Sequence, residues 1–156
     1  MISKISVFPH GVALGPARFR PAMIFKDERQ LETLPVWLDP VDASLLLAGS
    51  QVEVRATGAH KASLKIFNGF NITLLSVYFD EVLGSSQYAT VTASQGKKII
   101  TVRVRAAEMM SLAMNAGCRF YTNQDVIEKS RSINLEWTLH TGPGSGGLEK
   151  SYEGIH

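Results

Sequence analysis

The chain has 156 residues, 45% of them hydrophobic and 19% charged, with a formal net charge of +2. That balance belongs to an ordinary globular protein long enough to bury a core, and its charge is too small to argue for a nucleic-acid partner from bulk electrostatics. No apolar run reaches the roughly 20 residues that cross a bilayer, the opening MISKISVFPHG lacks the apolar stretch of a secretion signal, and the one cysteine, Cys118, excludes an internal disulfide. A cytoplasmic location without a membrane partner is the expectation.

Residues 2–8 alternate, with Ile2, Lys4 and Ser6 on one side and Ile5 and Val7 on the other, which predicts an opening strand. Pro9, Gly11, Gly15, Pro16 and Pro21 punctuate the next segment and place His10 in a loop. A short apolar run at 22–25, a polar connection at 27–32 and the strand LPVWL at 34–38 come next. Asp39 and Pro40 then read as a helix start: an Asp oxygen caps the first N–H groups, and Pro fits the first position, where no N–H is needed. The apolar face of this helix is expected at Val41, Leu45 and Ala48, widened by Leu46 and Leu47, with Gly49 as its stop. Residues 51–58 are polar and read as a loop.

His60 opens a second helix over 61–67, with Leu64 and Phe67 on one face and Lys61 and Lys65 on another. Three strand runs come after it, at 72–83, 88–93 and 98–104, separated by Gly-containing turns. They form an antiparallel meander. The strongest helix is 106–116. Ala106, Met109, Met110, Ala113 and Met114 repeat at helical spacing, and Gly117 stands at the C′ position. A methionine stripe of this kind is core material. Residues 118–121 make a short strand, with Cys118 as a buried thiol, because no local motif gives it a base. Asn123 caps a last helix over 124–130, and Asp125 in its first turn suits the helix dipole. The remainder, HTGPGSGGLEKSYEGIH, is too rich in glycine to build a core. The expected organisation is one α+β domain over 1–139, a largely antiparallel sheet with three to four helices packed on it, and a flexible tail over 140–156.

The order of these elements resembles the bifunctional nuclease domain family, named for RNase and DNase activity. The resemblance spans about 34–136. Leu34, Pro35, Trp37 and Leu38 match an LPIWIG-like strand, and Ala59-His60 falls where Thr-His opens a helix. Gln87-Tyr88-Ala89 stands for Phe-Tyr-Ala, residues 116–121 for Gly-Ala-Pro-Ile-Phe-Val, and 125–129 fit the terminal helix. The motif D-x-R-P-S-D-A is only partly kept. Arg105 retains its Arg and Glu108 its second acid, while Arg103, Ala106 and Ala107 replace the first Asp, the Pro and the Ser.

The resemblance implies phosphodiester hydrolysis of RNA or DNA, an α+β fold and a homo-oligomer. With it, His60, Arg105 and Glu108 are the expected catalytic residues; by residue type, basic Lys61 and Arg103 are the expected substrate-binding residues, and among the acids Asp42 and Glu108 the expected ligands of a divalent metal, Mg or Mn. The residues themselves leave alternatives open. Asp39 and Asp42 at a helix start also read as cap and dipole partners. Arg105 and Glu108, three apart, either form an ion pair or cradle a phosphate at the helix mouth. His60 is either a general acid or base or a packing residue. Asp80 and Glu81 are adjacent on a strand and point to opposite faces. The charge reversal at Arg103 supports a second expectation, a non-catalytic oligomeric module that binds a protein or an anionic ligand.

Overall fold

In the computed structural model, residues 2–14, 20–51 and 59–141 are described, apart from the side chains at 45, 48–51, 59–60 and 134–141. Most of the expected loop at 51–58, and the tail beyond 141, therefore lie outside the described residues. The strands are β1 (Ile5–Ala13), β2 (Ala22–Asp27), β3 (Thr33–Trp37), β4 (Ile72–Leu83), β5 (Ser86–Gln95), β6 (Lys98–Arg105) and β7 (Arg119–Thr122). The helices are α1 (Pro40–Gln51), α2 (Ala59–Gly69), α3 (Ala106–Ala116) and α4 (Gln124–Thr141). The seven strands form one sheet in the order β3-β2-β1-β7-β4-β5-β6. Every neighbouring pair is antiparallel except β4 with β7, which is parallel.

Local chemistry sets these pairings. The β4–β5 and β5–β6 loops are two residues long, because Leu83 opposes Ser86 and Gln95 opposes Lys98. Each loop begins with a glycine at positive φ, Gly84 at 61° and Gly96 at 59°. That conformation at the first loop position belongs to the primed hairpin turns, whose twist suits the flanking strands. The expected meander over 72–104 is therefore present. Strand β1 runs further than its expected end at Phe8. His10 lies within it, where the pairing with β2 shifts between Pro9 and Gly11. A single extra residue absorbs the Pro-Gly punctuation as a bulge instead of ending the strand.

The sheet curls far enough for its two halves to meet. Gln87 of β5 accepts a hydrogen bond from the Trp37 N–H at 2.9 Å and donates to Pro35 O at 2.7 Å and to Ser130 Oγ at 3.0 Å. The core lies inside the curl, where the rings of Phe25, Phe79 and Phe120 pack together with centroids 4.9 to 6.1 Å apart. Ala106, Met110 and Ala113 of α3 and Val126 and Ile127 of α4 enter the same core, joined by half-buried Met109 and Met114. The methionine stripe is thus core, as its spacing required. β2 and β3 are buried along their length, whereas β5 alternates buried Gln87, Ala89, Val91 and Ala93 with half-buried Tyr88, Thr90, Thr92 and Ser94. One face of the β4–β5–β6 region is therefore open to solvent.

The caps behave as their residue types require. Asp39 Oδ1 accepts from the Val41 N–H at 2.8 Å. Asn123 Oδ1 accepts from the Val126 N–H at 3.0 Å. Gly117, at φ 68° and ψ 34°, closes α3: the Cys118 N–H reaches back to Ala113 O and the Gly117 N–H to Met114 O, the two bonds of a Schellman motif. Two helix expectations need correction. In α1 the expected Leu46 and Leu47 are half-buried beside buried Ala43, but Val41 is 67% exposed, and the side chains of Leu45 and Ala48 lie outside the described residues. This helix also continues through Gly49 to Gln51, since one interior Gly costs only about 1 kcal/mol. Helix α4 continues past Ser130 to Thr141, and the sequence offers no Gly or Pro to stop it before Gly142.

Candidate functional site at the mouth of helix α3

Strand β6 passes directly into α3 at Arg105. Arg105 is the N-cap, with extended backbone at φ −72° and ψ 137°, and its side chain makes no capping hydrogen bond. Since Ala106 and Ala107 offer no side-chain acceptors, the first N–H groups of α3 meet no cap there. Unsatisfied N–H groups and the positive end of the helix dipole make such a terminus attractive to anions.

A cavity of about 120 Å³ opens at this terminus, lined by Arg20, Trp37, Ser85, Ser86, Gln87, Arg105, Ala107 and Glu108. Arg105 and Glu108 are both exposed and line it without forming an ion pair among the described residues. Arg20 hangs from the segment before β2 and donates to Ser85 O at 3.5 Å. Two guanidinium groups and one carboxylate thus surround a helix N-terminus, with buried Trp37 and Gln87 forming the apolar and hydrogen-bonded wall. Arg20 was not among the expected site residues. Its place beside Arg18 marks a small basic gathering in the sequence, but only the curl of the sheet brings it to the α3 mouth.

The other expected residues are placed differently. Arg103, two residues before Arg105 on β6, forms an ion pair with Glu81 and lies 5.2 Å from the centre of the Tyr88 ring. The Glu81 carboxylate raises the pKa of its guanidinium further, by hydrogen bond and by charge. Lys61 is exposed on α2, and Asp42 is half-buried in the first turn of α1. Both helices pack against α3, yet neither residue lines the cavity among the described residues. His60 stands in the first turn of α2, and its side chain falls outside the described residues.

Two further polar groups draw notice. At an irregularity in the β4–β5 pairing, Asp80 Oδ2 accepts from Thr90 Oγ at 2.5 Å, which turns Asp80 to the same open face as Thr90. The other oxygen of Asp80 is buried without a hydrogen bond, as is the Ser111 hydroxyl of α3. The adjacency of Asp80 and Glu81 therefore does not send them to opposite faces, because the bulge resets the alternation. Cys118 is buried and its thiol pKa is raised by desolvation, in keeping with a structural thiol.

A divalent cation needs several hard oxygen ligands around one point. Among the described residues no group of three or more His, Cys, Asp or Glu side chains stands ready to hold one. Asp42 and Glu108 alone do not make that set.

Among the described residues, a mixed sheet of seven strands with four helices packed on it makes an α+β domain, and two guanidinium groups and a carboxylate line the mouth of its third helix. Residues 23–134 match the bifunctional nuclease domain, and the chain belongs to that family. The match begins within β2, earlier than the resemblance over 34–136, and takes in all four helix starts. No curated protein matches the chain.

Proposed function

We propose that this chain is a low-specificity nuclease that holds a phosphodiester of RNA or DNA at the mouth of α3. The observation that carries the reading is the conjunction of Arg20, Arg105 and Glu108 around an uncapped helix terminus, in a chain of a nuclease family. The guanidinium groups and the terminal N–H groups bind the non-bridging oxygens and stabilise the charge that grows on them during attack. Glu108 accepts the proton of the attacking water. The water oxygen bonds to phosphorus, the bond to the leaving oxygen breaks, and the proton returns to that oxygen.

The test is cleavage of labelled RNA and DNA with Mg²⁺ or Mn²⁺, together with binding of the same strands. Glu108→Gln is expected to lower cleavage at least 100-fold while leaving binding within a few-fold, and Arg105→Ala to weaken both. Unchanged cleavage in Glu108→Gln overturns this assignment.

One observation favours a second reading, a phosphate-binding module without catalysis. Arg103 replaces the first acid of the family motif and is engaged with Glu81. Binding by the unmodified protein with no cleavage under either metal selects that reading.

A further inference from the structure

We infer that the open face of the sheet is a track for an unpaired nucleic-acid strand, leading from the α3 mouth across to a cavity between β1 and β7. The inference rests on the nucleic-acid reading above and specifies the form of the substrate.

The pairing registers place a row of side chains on one face. Tyr88 of β5 opposes Arg105 of β6, and Thr90 opposes Arg103. Thr90 also opposes Tyr78 of β4, Tyr78 lies beside Tyr121 of β7, and Tyr121 opposes Ser6 of β1. Directly paired residues share a face, so Tyr88, Tyr78 and Tyr121 all stand on the side opposite the core residues Ala89, Val77 and Phe120. All three tyrosines are half-buried, with part of each exposed to solvent.

Cations accompany the rings. Lys4 lies 4.8 Å from the centre of the Tyr78 ring and Arg103 lies 5.2 Å from that of Tyr88. Arg119 projects, exposed, from β7 one residue before Phe120, and it pairs with Ser76 on the same face. Against these stand Asp80, hydrogen-bonded to Thr90, and Glu81, already neutralised by Arg103. With Arg103 and Glu81 cancelling each other, Lys4, Arg105 and Arg119 still outnumber the one remaining carboxylate named, Asp80. Alternating rings and cations suit a single strand, whose bases stack on aromatic faces while its phosphates meet the charges. A duplex keeps its bases stacked on one another and offers no face to these rings.

The two ends of the row supply the rest of the argument. At one end Arg105 belongs both to the row and to the wall of the α3 cavity. At the other, a cavity of about 330 Å³ lies where β1 leaves β7, lined by Phe8, Cys118, Arg119 and Tyr121 among others. Its size is at the lower end of small-molecule pockets, about 300–1,000 Å³, and its aromatic walls beside a cation suit a flipped-out base. At the usual strand spacing, β6 and β7 are roughly 14 Å apart, a span that other nucleic-acid-binding sheets use for about two or three bases.

The experiment measures fluorescence anisotropy of a labelled twelve-nucleotide thymidylate strand and of the same strand in duplex. It uses full-length Glu108→Gln protein, so that the probe stays intact. Single-strand binding at least ten-fold tighter than duplex binding is expected. Adding Tyr88→Ala and Tyr121→Ala is expected to remove that preference, and Tyr88→Phe with Tyr121→Phe to keep it, with circular dichroism showing both folded. Equal binding of strand and duplex, or a preference that survives the alanine changes, overturns the track. The nuclease reading is judged separately, by whether Glu108→Gln loses cleavage.

Discussion

The Trp37 N–H donates to the side-chain Oε1 of Gln87 at 2.9 Å, although 50 residues separate the two. With Gln87 Nε2 donating to Pro35 O, the amide acts as a one-residue strand on the free edge of β3. It gives that edge the donor and acceptor a neighbouring strand would supply. Gln87→Leu keeps the volume but removes this amide from two buried backbone groups and from the buried Ser130 hydroxyl. The expected loss is about 2–6 kcal/mol, from about 1–3 kcal/mol for each of the two backbone groups. Urea denaturation measures it, and a loss under about 0.5 kcal/mol would show that water replaces the amide freely.

Asn123 has two separate duties. Its Oδ1 caps α4, and its Nδ2 donates to Tyr78 Oη at 3.0 Å and to Asp80 O at 3.3 Å. Asn123→Asp retains the cap oxygen and loses both donors, while Asn123→Ala loses everything. Thermal unfolding should rank them wild type, then Asp, then Ala, with the alanine protein down by about 2–3 kcal/mol. Equal losses would mean that the cap contributes nothing.

Arg103 sits among carboxylates, and reversing its charge changes what the open face attracts. Arg103→Asp removes the cation that neutralises Glu81 and adds a third acid near Asp80. The variant is expected to bind Mn²⁺ at least ten-fold more tightly than the parent by calorimetric titration. An unchanged affinity would show that the three carboxylates do not converge.

Phosphate binding at the α3 mouth carries a salt signature. Arg20→Ala and Arg105→Ala should each reduce the slope of log affinity against log salt concentration by about 1. Slopes that match the parent would place the phosphate contacts elsewhere.

Cys118 links stability to alkaline pH. Burial raises its thiol pKa in the folded protein, so folding favours the neutral thiol. That contribution is whole below the unfolded thiol pKa of about 8.5 and is lost as pH climbs through the higher folded value. Disulfide-exchange reagents should label Cys118 far more slowly in the native protein than in urea at the same pH. Equal rates would contradict its burial.

The sequence shows some of these features and hides others, for physical reasons. The meander, α3 and its Gly117 stop were legible because they rest on local chemistry: two-residue turns, helical spacing and a left-handed cap. The pairing of β7 between β1 and β4 was not, since a four-residue strand carries almost no periodicity. Arg105 and Glu108 were legible as a pair from the family pattern, but their meeting with Arg20 depends on the curl that brings β2 and β3 over to β5. That Glu81 joins Asp80 on the open face is hidden in the sequence, because a bulge cannot be seen in alternation alone. Asp42 and Lys61 are candidates by residue type alone, and they stand on helices beside α3, outside the wall of the cavity among the described residues.

The position of β7 also sets an order of assembly. Strands β1–β3 form one antiparallel group and β4–β6 another, each from neighbouring segments of chain. The seam between the groups is four residues that emerge only after α3, paired antiparallel on one side and parallel on the other. During synthesis the two halves of the sheet must therefore wait, with β1 and β4 each showing an unpaired edge, until residues 119–122 leave the ribosome. A growing chain is most exposed to wrong strand pairing in that interval, and any partner that shields those edges has to act before the seam closes.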